Sequence, residues 1–194
     1  MKDTGGNTKS KIVTAGWRLF YEKGYEETTI EDIVAESHTS KASFYHYFSG
    51  KDAILSSLSL LFDEKYDELK PELTEEMTAS EQLLFLNTEL FRMIENTVSI
   101  ELLSQLLSSQ LVTSGEKHLL DHSRTYFKLL RQIISKGMQN GEFDKSYTVN
   151  EIVKAYALFE RAIMYDWCLC DGEYSLASYG KNMLTKLLDG YKPG

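Results

Sequence analysis

Apolar residues recur at three- and four-residue spacings along most of the chain, and no stretch alternates strictly between apolar and polar. That period belongs to helices. Ile12, Ala15, Leu19 and Phe20 share one face of a first predicted helix, from about Thr8 to a terminating Gly24. Gly16 lies in its middle, where glycine costs about 1 kcal/mol relative to alanine, which suggests a close approach by a neighbour. Thr29 is a good cap for a short second helix carrying Ile30, Ile33 and Val34 and ending near Ser37, with Asp32 placed to close a capping box. Ser40 caps a third, from Lys41 to about Phe48, with Phe44 and Phe48 as its inward pair. Two short helices joined by so few residues read as a helix-turn-helix.

The pattern continues with a long fourth helix from Lys51 to about Leu69, stopped by Pro71, and a polar stretch over 72–79. Thr78 with Glu81 opens a fifth helix to about Asn96, and Leu102, Leu103, Leu106, Leu107 and Leu111 mark a sixth. A seventh is expected from Glu116 to Asn140, closed by Gly141. Thr148 and Glu151 form a capping box for an eighth to about Cys170, and a ninth spans about Ser175 to Leu188. The expectation is an all-α chain of about nine helices, divided into residues 1–50 and 51–194, with no internal repeat.

Composition supports this. The 194 residues include only two prolines and 12 glycines, too few for the turns of an all-β sandwich or barrel. No apolar run approaches the ~20 residues of a membrane span, and Met1–Lys11 has no apolar core like that of a signal peptide. Cys168 and Cys170, the two cysteines, point in nearly opposite directions on a helix and suit a reducing cytoplasm. The net charge of −8 argues at first against a nucleic-acid partner. Its distribution removes the objection: residues 1–51 hold seven basic and seven acidic side chains, so all the excess acid lies further on. An acidic protein can still bind DNA through a local basic surface.

The segment 19–55 carries the most specific pattern. Leu19-Phe20, Lys23-Gly24-Tyr25, Thr28-Thr29-Ile30, Ile33, Ser40, Ser43-Phe44-Tyr45, Tyr47-Phe48 and Lys51-Asp52 stand at the spacings of a known motif. The segment resembles the DNA-binding domain of TetR-family transcriptional regulators. The resemblance implies a three-helix helix-turn-helix domain followed by a helical domain for effector binding and dimerisation. It also implies base contacts from Lys41, Ala42 and Ser43, with His46 in reach of bases or phosphates, and phosphate contacts from Thr29, Ser40, Tyr45, Tyr47 and Lys51. These assignments agree with general chemistry. A recognition helix offers its first residues to base edges, and lysine, serine and alanine suit guanine acceptors, several bases and the thymine methyl respectively. The chain departs from the family in the turn, where His38 and Thr39 replace the usual Gly and Val, and at Gly50, often Ser or Asn. The first of these positions calls for a positive φ, which histidine tolerates at some cost.

Beyond residue 51 the motifs are weaker. The resemblance implies a homodimer built on the last two helices, with Ile152, Phe159, Ile163, Trp167, Leu176, Tyr179, Met183 and Leu187 as interface candidates; the plain alternative is that these stripes face the protomer's own core. It also implies a small-molecule pocket, with Phe85, Phe91, Met93, Tyr126, Tyr156, Glu160 and Met164 as candidates, each equally readable as packing. Glu160 interrupts an apolar stripe. It is either partly exposed or, if buried, in need of a partner such as a cationic ligand, Arg161 or Arg92. His118 and His122 stand four apart but lack the further ligands of a zinc site, so no metal or other cofactor is expected.

The partners expected are therefore operator DNA, a second copy of the chain and a small-molecule effector, with no membrane. Enzyme signatures are missing: there is no nucleophile elbow, phosphate-cradling glycine loop or HExxH. The alternative reading is a helical protein-binding adaptor that keeps the fold and has lost DNA binding. Effector, operator, regulated genes and the sign of regulation are not legible in the sequence.

Overall fold

The structure, a computed structural model, describes residues 4–55, 57–112 and 117–194, with side chains from residue 8 onward. Among the described residues all regular structure is helical, in ten α-helices and two short 3-10 turns. It divides into two compact units: the chain through Leu60 with Ser99–Leu119, and Leu61–Val98 with Leu120–Gly194. The first unit thus reaches past the boundary expected at residue 50 and takes in a helix from much later in the chain.

In the first unit, α1 (Thr4–Lys23), α2 (Ile30–Glu36) and α3 (Lys41–Tyr47) pack together and are joined by α4 (Lys51–Leu55) and α7 (Ile100–Val112). The predicted face of α1 is the buried one, with Ile12, Ala15, Leu19 and Phe20 all inside. A Cβ on Gly16 would lie 3.0 Å from Ile54 Cγ2, so the glycine lets α4 approach α1 closely. Thr29 and Asp32 form the expected reciprocal capping box, and the Ser40 hydroxyl accepts from the Ser43 N–H at 3.0 Å. Ile33, Phe44 and Phe48 anchor the two short helices in the core. Each such side chain contributes about 1.5–3 kcal/mol, which helices of seven residues cannot supply through their own hydrogen bonds. His38 adopts φ 52°, the left-handed conformation expected at that turn.

The fourth predicted helix is two, α4 and α5 (Leu58–Leu69). Between them the Ser57 hydroxyl accepts the Trp17 indole N–H at 2.8 Å, and the Ser57 N–H and C=O make three-residue turns to Ile54 and Leu60.

In the second unit, α6 (Ala79–Thr97) packs on α8 (Thr125–Gln139) and α10 (Leu176–Asp189), and α9 (Val149–Leu169) lies on α8 and α10. The capping boxes at Thr78 and Thr148 are both present. The seventh predicted helix is shorter than its pattern. Glu116, its expected start, lies outside the described residues, His118–Leu120 is a 3-10 turn, and α8 begins only at Thr125. Asp63 from α5 ends it there, accepting the Tyr126 N–H at 3.2 Å and the Arg124 side chain at 2.8 Å. His118 and His122 therefore share no helical face, and the His122 ring instead packs on Phe127 at 4.5 Å.

Candidate functional site

The surface of α3 is built by two anchors. Phe44 and Phe48 point inward, which leaves Lys41, Ala42, Tyr45 and His46 exposed and Ser43 and Tyr47 half-buried. Tyr45 packs edge-on to Phe44 with its outer half in solvent, and Tyr47 packs edge-on to His46 at 4.7 Å. The Thr29 hydroxyl donates to Asp32 at 2.7 Å, and the Ser40 hydroxyl lies 2.9 Å from that of Ser43. Lys41, Ala42, Tyr45 and His46 thus form the exposed side of α3, with Ser43 and Tyr47 flanking the buried Phe44. An exposed, short, weakly apolar helix held by two phenylalanines is the shape of a major-groove reader.

Lys51 is engaged within its own unit. Its ammonium donates to the carbonyls of Tyr25, Glu26 and Thr28 at 2.8, 3.1 and 3.2 Å, and lies 4.3 Å from the centre of the Tyr25 ring. Three carbonyls use all three of its N–H donors. These bonds tie down the loop before Thr29. The same loop is held by α7, whose Glu101 accepts the Tyr25 N–H at 3.0 Å and whose Gln105 donates to Glu26 at 3.0 Å. Motif reading missed both residues, since no spacing rule connects positions 76 and 79 residues apart.

Lys41 is ion-paired with Glu31 across the turn. The hydrogen bond lowers the carboxyl's pKa and raises that of the ammonium. Glu31 was likewise not singled out by its sequence position.

The second unit gathers some of the pocket candidates. Glu160 is only 3% exposed, so it is not the half-solvated glutamate that its place on α9 allows. Its carboxylate accepts from Asn87 Nδ2 at 2.7 Å and from the Tyr126 hydroxyl. Neither expected arginine is its hydrogen-bonding partner: Arg92 pairs with Glu89, while Arg161 acts on it only through its charge. Burial among these mostly neutral groups pushes the Glu160 pKa up to about 7. Tyr66 and Tyr156, both buried, complete the cluster, and the Tyr156 hydroxyl donates to Leu83 O at 2.8 Å. Asn87 Oδ1 is buried with no partner. Phe91 and Met164 are also buried, whereas Phe85 and Met93 are only half-buried. Asn87 breaks the apolar run of α6 just as Glu160 breaks that of α9, so the same signal would have found it.

The interface candidates divide. Ile152, Ile163, Trp167 and Leu176 are buried inside the protomer, on the faces that α9 and α10 turn to their own core. Tyr179 is exposed, and Phe159, Met183 and Leu187 are half-buried. The exposed apolar stripe of α9 is instead Leu158, Ala162, Tyr165 and Leu169, one step round the helix.

Comparison with known proteins adds a lineage. The family model for bacterial regulatory proteins of the tetR family matches residues 12–58, and one for the C-terminal region of YsiA-like proteins matches residues 62–190. The fatty acid metabolism regulator protein of Bacillus subtilis is 22% identical over 184 residues, 93% of each chain. Thermus thermophilus FadR, a repressor solved with lauroyl-CoA, superposes with a TM-score of 0.78 at 20% identity, covering 93% of this chain and 92% of that one. Bacillus subtilis FadR, solved with stearoyl-CoA, gives 0.71 at 20%, covering 93% and 97%.

Proposed function

The chain belongs to the TetR family of bacterial regulatory proteins, and from that premise we propose that it represses transcription as a homodimer that leaves its operator when an effector binds. The observation that carries this reading is the exposed face of α3. Lys41, Ala42, Ser43 and His46 meet base edges there, while Thr29, Ser40, Tyr45 and Tyr47 stand beside phosphates. Residues 1–50 supply the reading head and 51–194 the effector-binding and dimerisation helices.

Two recognition helices are needed for two half-sites about 34–36 Å apart. The stripe of Leu158, Ala162, Tyr165 and Leu169, with Phe159 beside it, supports a two-fold contact, joined by Tyr179, Met183 and Leu187 of α10. A self-complementary apolar patch of this kind is what such symmetry requires.

The effector enters the helical core of the second unit, among Phe91, Tyr126, Tyr156, Glu160 and Met164, with Phe85 and Met93 nearer the surface. Two proteins of the same fold were solved with lauroyl-CoA and with stearoyl-CoA, which makes an acyl thioester the first effector class to test. Its action is a population shift: it lowers operator affinity only by as much as it prefers the non-binding state.

Fluorescence anisotropy on the DNA of its own promoter, at two salt concentrations, tests the reading. Wild type binds selectively and weakens steeply with salt. Lys41→Ala/Tyr45→Ala loses selective binding, and lauroyl-CoA lowers wild-type affinity by roughly 5–150-fold. Should neither that promoter nor a random-sequence pool yield a bound site, the adaptor reading takes over.

A further inference from the structure

The second helix carries three acids, and each is ion-paired with a base of the same unit: Asp32 with Lys23, Glu36 with Arg18 and Glu31 with Lys41. The first two have local work. Asp32 closes the capping box at Thr29, and Glu36 is half-buried and ties the end of α2 to α1. Glu31 shares the first turn of α2 with Asp32 and also accepts a backbone N–H there, but it is not the residue that closes the capping box. Its side chain is 64% exposed, and its partner, 57% exposed, is the first residue of α3. Lys41 is the only lysine or arginine on that helix. The one permanent positive charge on the reading helix therefore comes with a carboxylate attached.

We propose that Glu31 and Lys41 read one G·C pair as a unit, which makes Glu31 a specificity-determining residue although it lies outside the recognition helix. In the major groove guanine offers two adjacent acceptors, N7 and O6, and its cytosine follows with the N4–H donor. An ammonium beside a carboxylate is a donor beside an acceptor, the complement of that edge. Lys41 lies across N7 and O6, and Glu31 accepts from cytosine N4. An A·T pair sets the adenine N6–H donor next to N7, where it opposes the ammonium. Were Glu31 merely left behind when Lys41 engages, its charge would stand uncompensated among phosphates and oppose binding to every sequence alike.

This inference rests on the operator-binding reading, and one selection separates the failure of each. Wild type and Glu31→Gln are each used to enrich binding sites from a random duplex pool. Anisotropy then measures both proteins on the wild-type consensus and on its single-base-pair variants, and a thermal melt confirms that the variant is folded. Wild type is expected to enrich an inverted repeat with G·C at one fixed position per half-site, preferred at least tenfold over A·T. In Glu31→Gln that preference falls to about threefold or less, because glutamine also suits adenine, while the other positions keep theirs. Three outcomes overturn the proposal alone: Glu31→Gln tightens binding to all sequences with base preference unchanged; its preferences weaken at many positions together; or wild type enriches sites with no such G·C. Enrichment of nothing by wild type overturns the operator-binding reading and this inference with it.

Discussion

Replacing Glu160 with glutamine should stabilise the protein, and the gain should depend on pH. The carboxyl sits in the second unit among Asn87, Tyr126, Tyr156 and Tyr66, with Arg161 as the nearby cation. Burial raises its pKa from 4.5 to about 7. A carboxyl with a raised pKa in the folded state favours folding least where it must be ionised. The native state carries no penalty below pH 4.5, loses stability as pH rises towards 7, and is uniformly weakened above that. A difference of about 2.5 pKa units corresponds to about 3 kcal/mol at pH 8. Glu160→Gln keeps the shape and an acceptor but cannot ionise, so it removes this pH-dependent penalty. Urea unfolding of both proteins at pH 5 and pH 8 isolates the effect, since every other titrating group cancels in the comparison. The variant should match wild type or fall slightly below it at pH 5, and exceed it by about 2–3 kcal/mol at pH 8, after allowing about 1 kcal/mol for an altered hydrogen bond. In thermal unfolding that gain is a rise of roughly 4–12 °C. A difference between the two proteins that does not change from pH 5 to pH 8 would refute the reasoning, because it would mean that Glu160 titrates alike in the folded and unfolded chain.

Three other expectations follow from the same geometry. A Cβ at Gly180 would lie 2.5 Å from the Phe91 ring and 3.1 Å from Asn87 Oδ1, so Gly180→Ala should cost about 1–3 kcal/mol in denaturant unfolding; an unchanged midpoint contradicts the packing of α6 on α10. Lys51→Met leaves three carbonyls without their shared donor, and the free protein should lose about 2 kcal/mol of stability in the absence of DNA; a lysine serving only phosphates would leave the midpoint in place. Leu158→Asp/Tyr165→Asp sets four like charges into a two-fold contact, two from each copy, and light scattering should then report a monomer, whereas a dimer of unchanged mass removes α9 from the interface.

What the sequence determined by itself was local. Helix spacing, the caps at Thr29, Ser40, Thr78 and Thr148, and the anchors Phe44 and Phe48 lie within a few residues of what they control, so periodicity and spaced motifs carry them. The positive φ at His38 was legible only through the resemblance, which places glycine at that turn. The exposed face of α3 followed from its anchors, because once Phe44 within the helix and Phe48 at its C-cap point inward the remaining residues are placed. Tertiary structure decided whatever depends on residues distant in sequence. Ser57 meets Trp17 where the fourth helix divides, and Asp63 sets the start of α8, both against an unbroken apolar pattern. Lys51 carries the right residue type for a phosphate, and three carbonyls brought beside it by the fold take up its donors. Ile152 and Leu158 are both apolar residues of α9; only the packing of α8 and α10 against it tells which is inside and which is exposed. Glu160 shows the limit most plainly. Its position on an apolar stripe raised the question of its burial, but the answer came from Asn87 and Tyr126, 73 and 34 residues away, because a carboxyl's ionisation is governed by the groups that surround it in space.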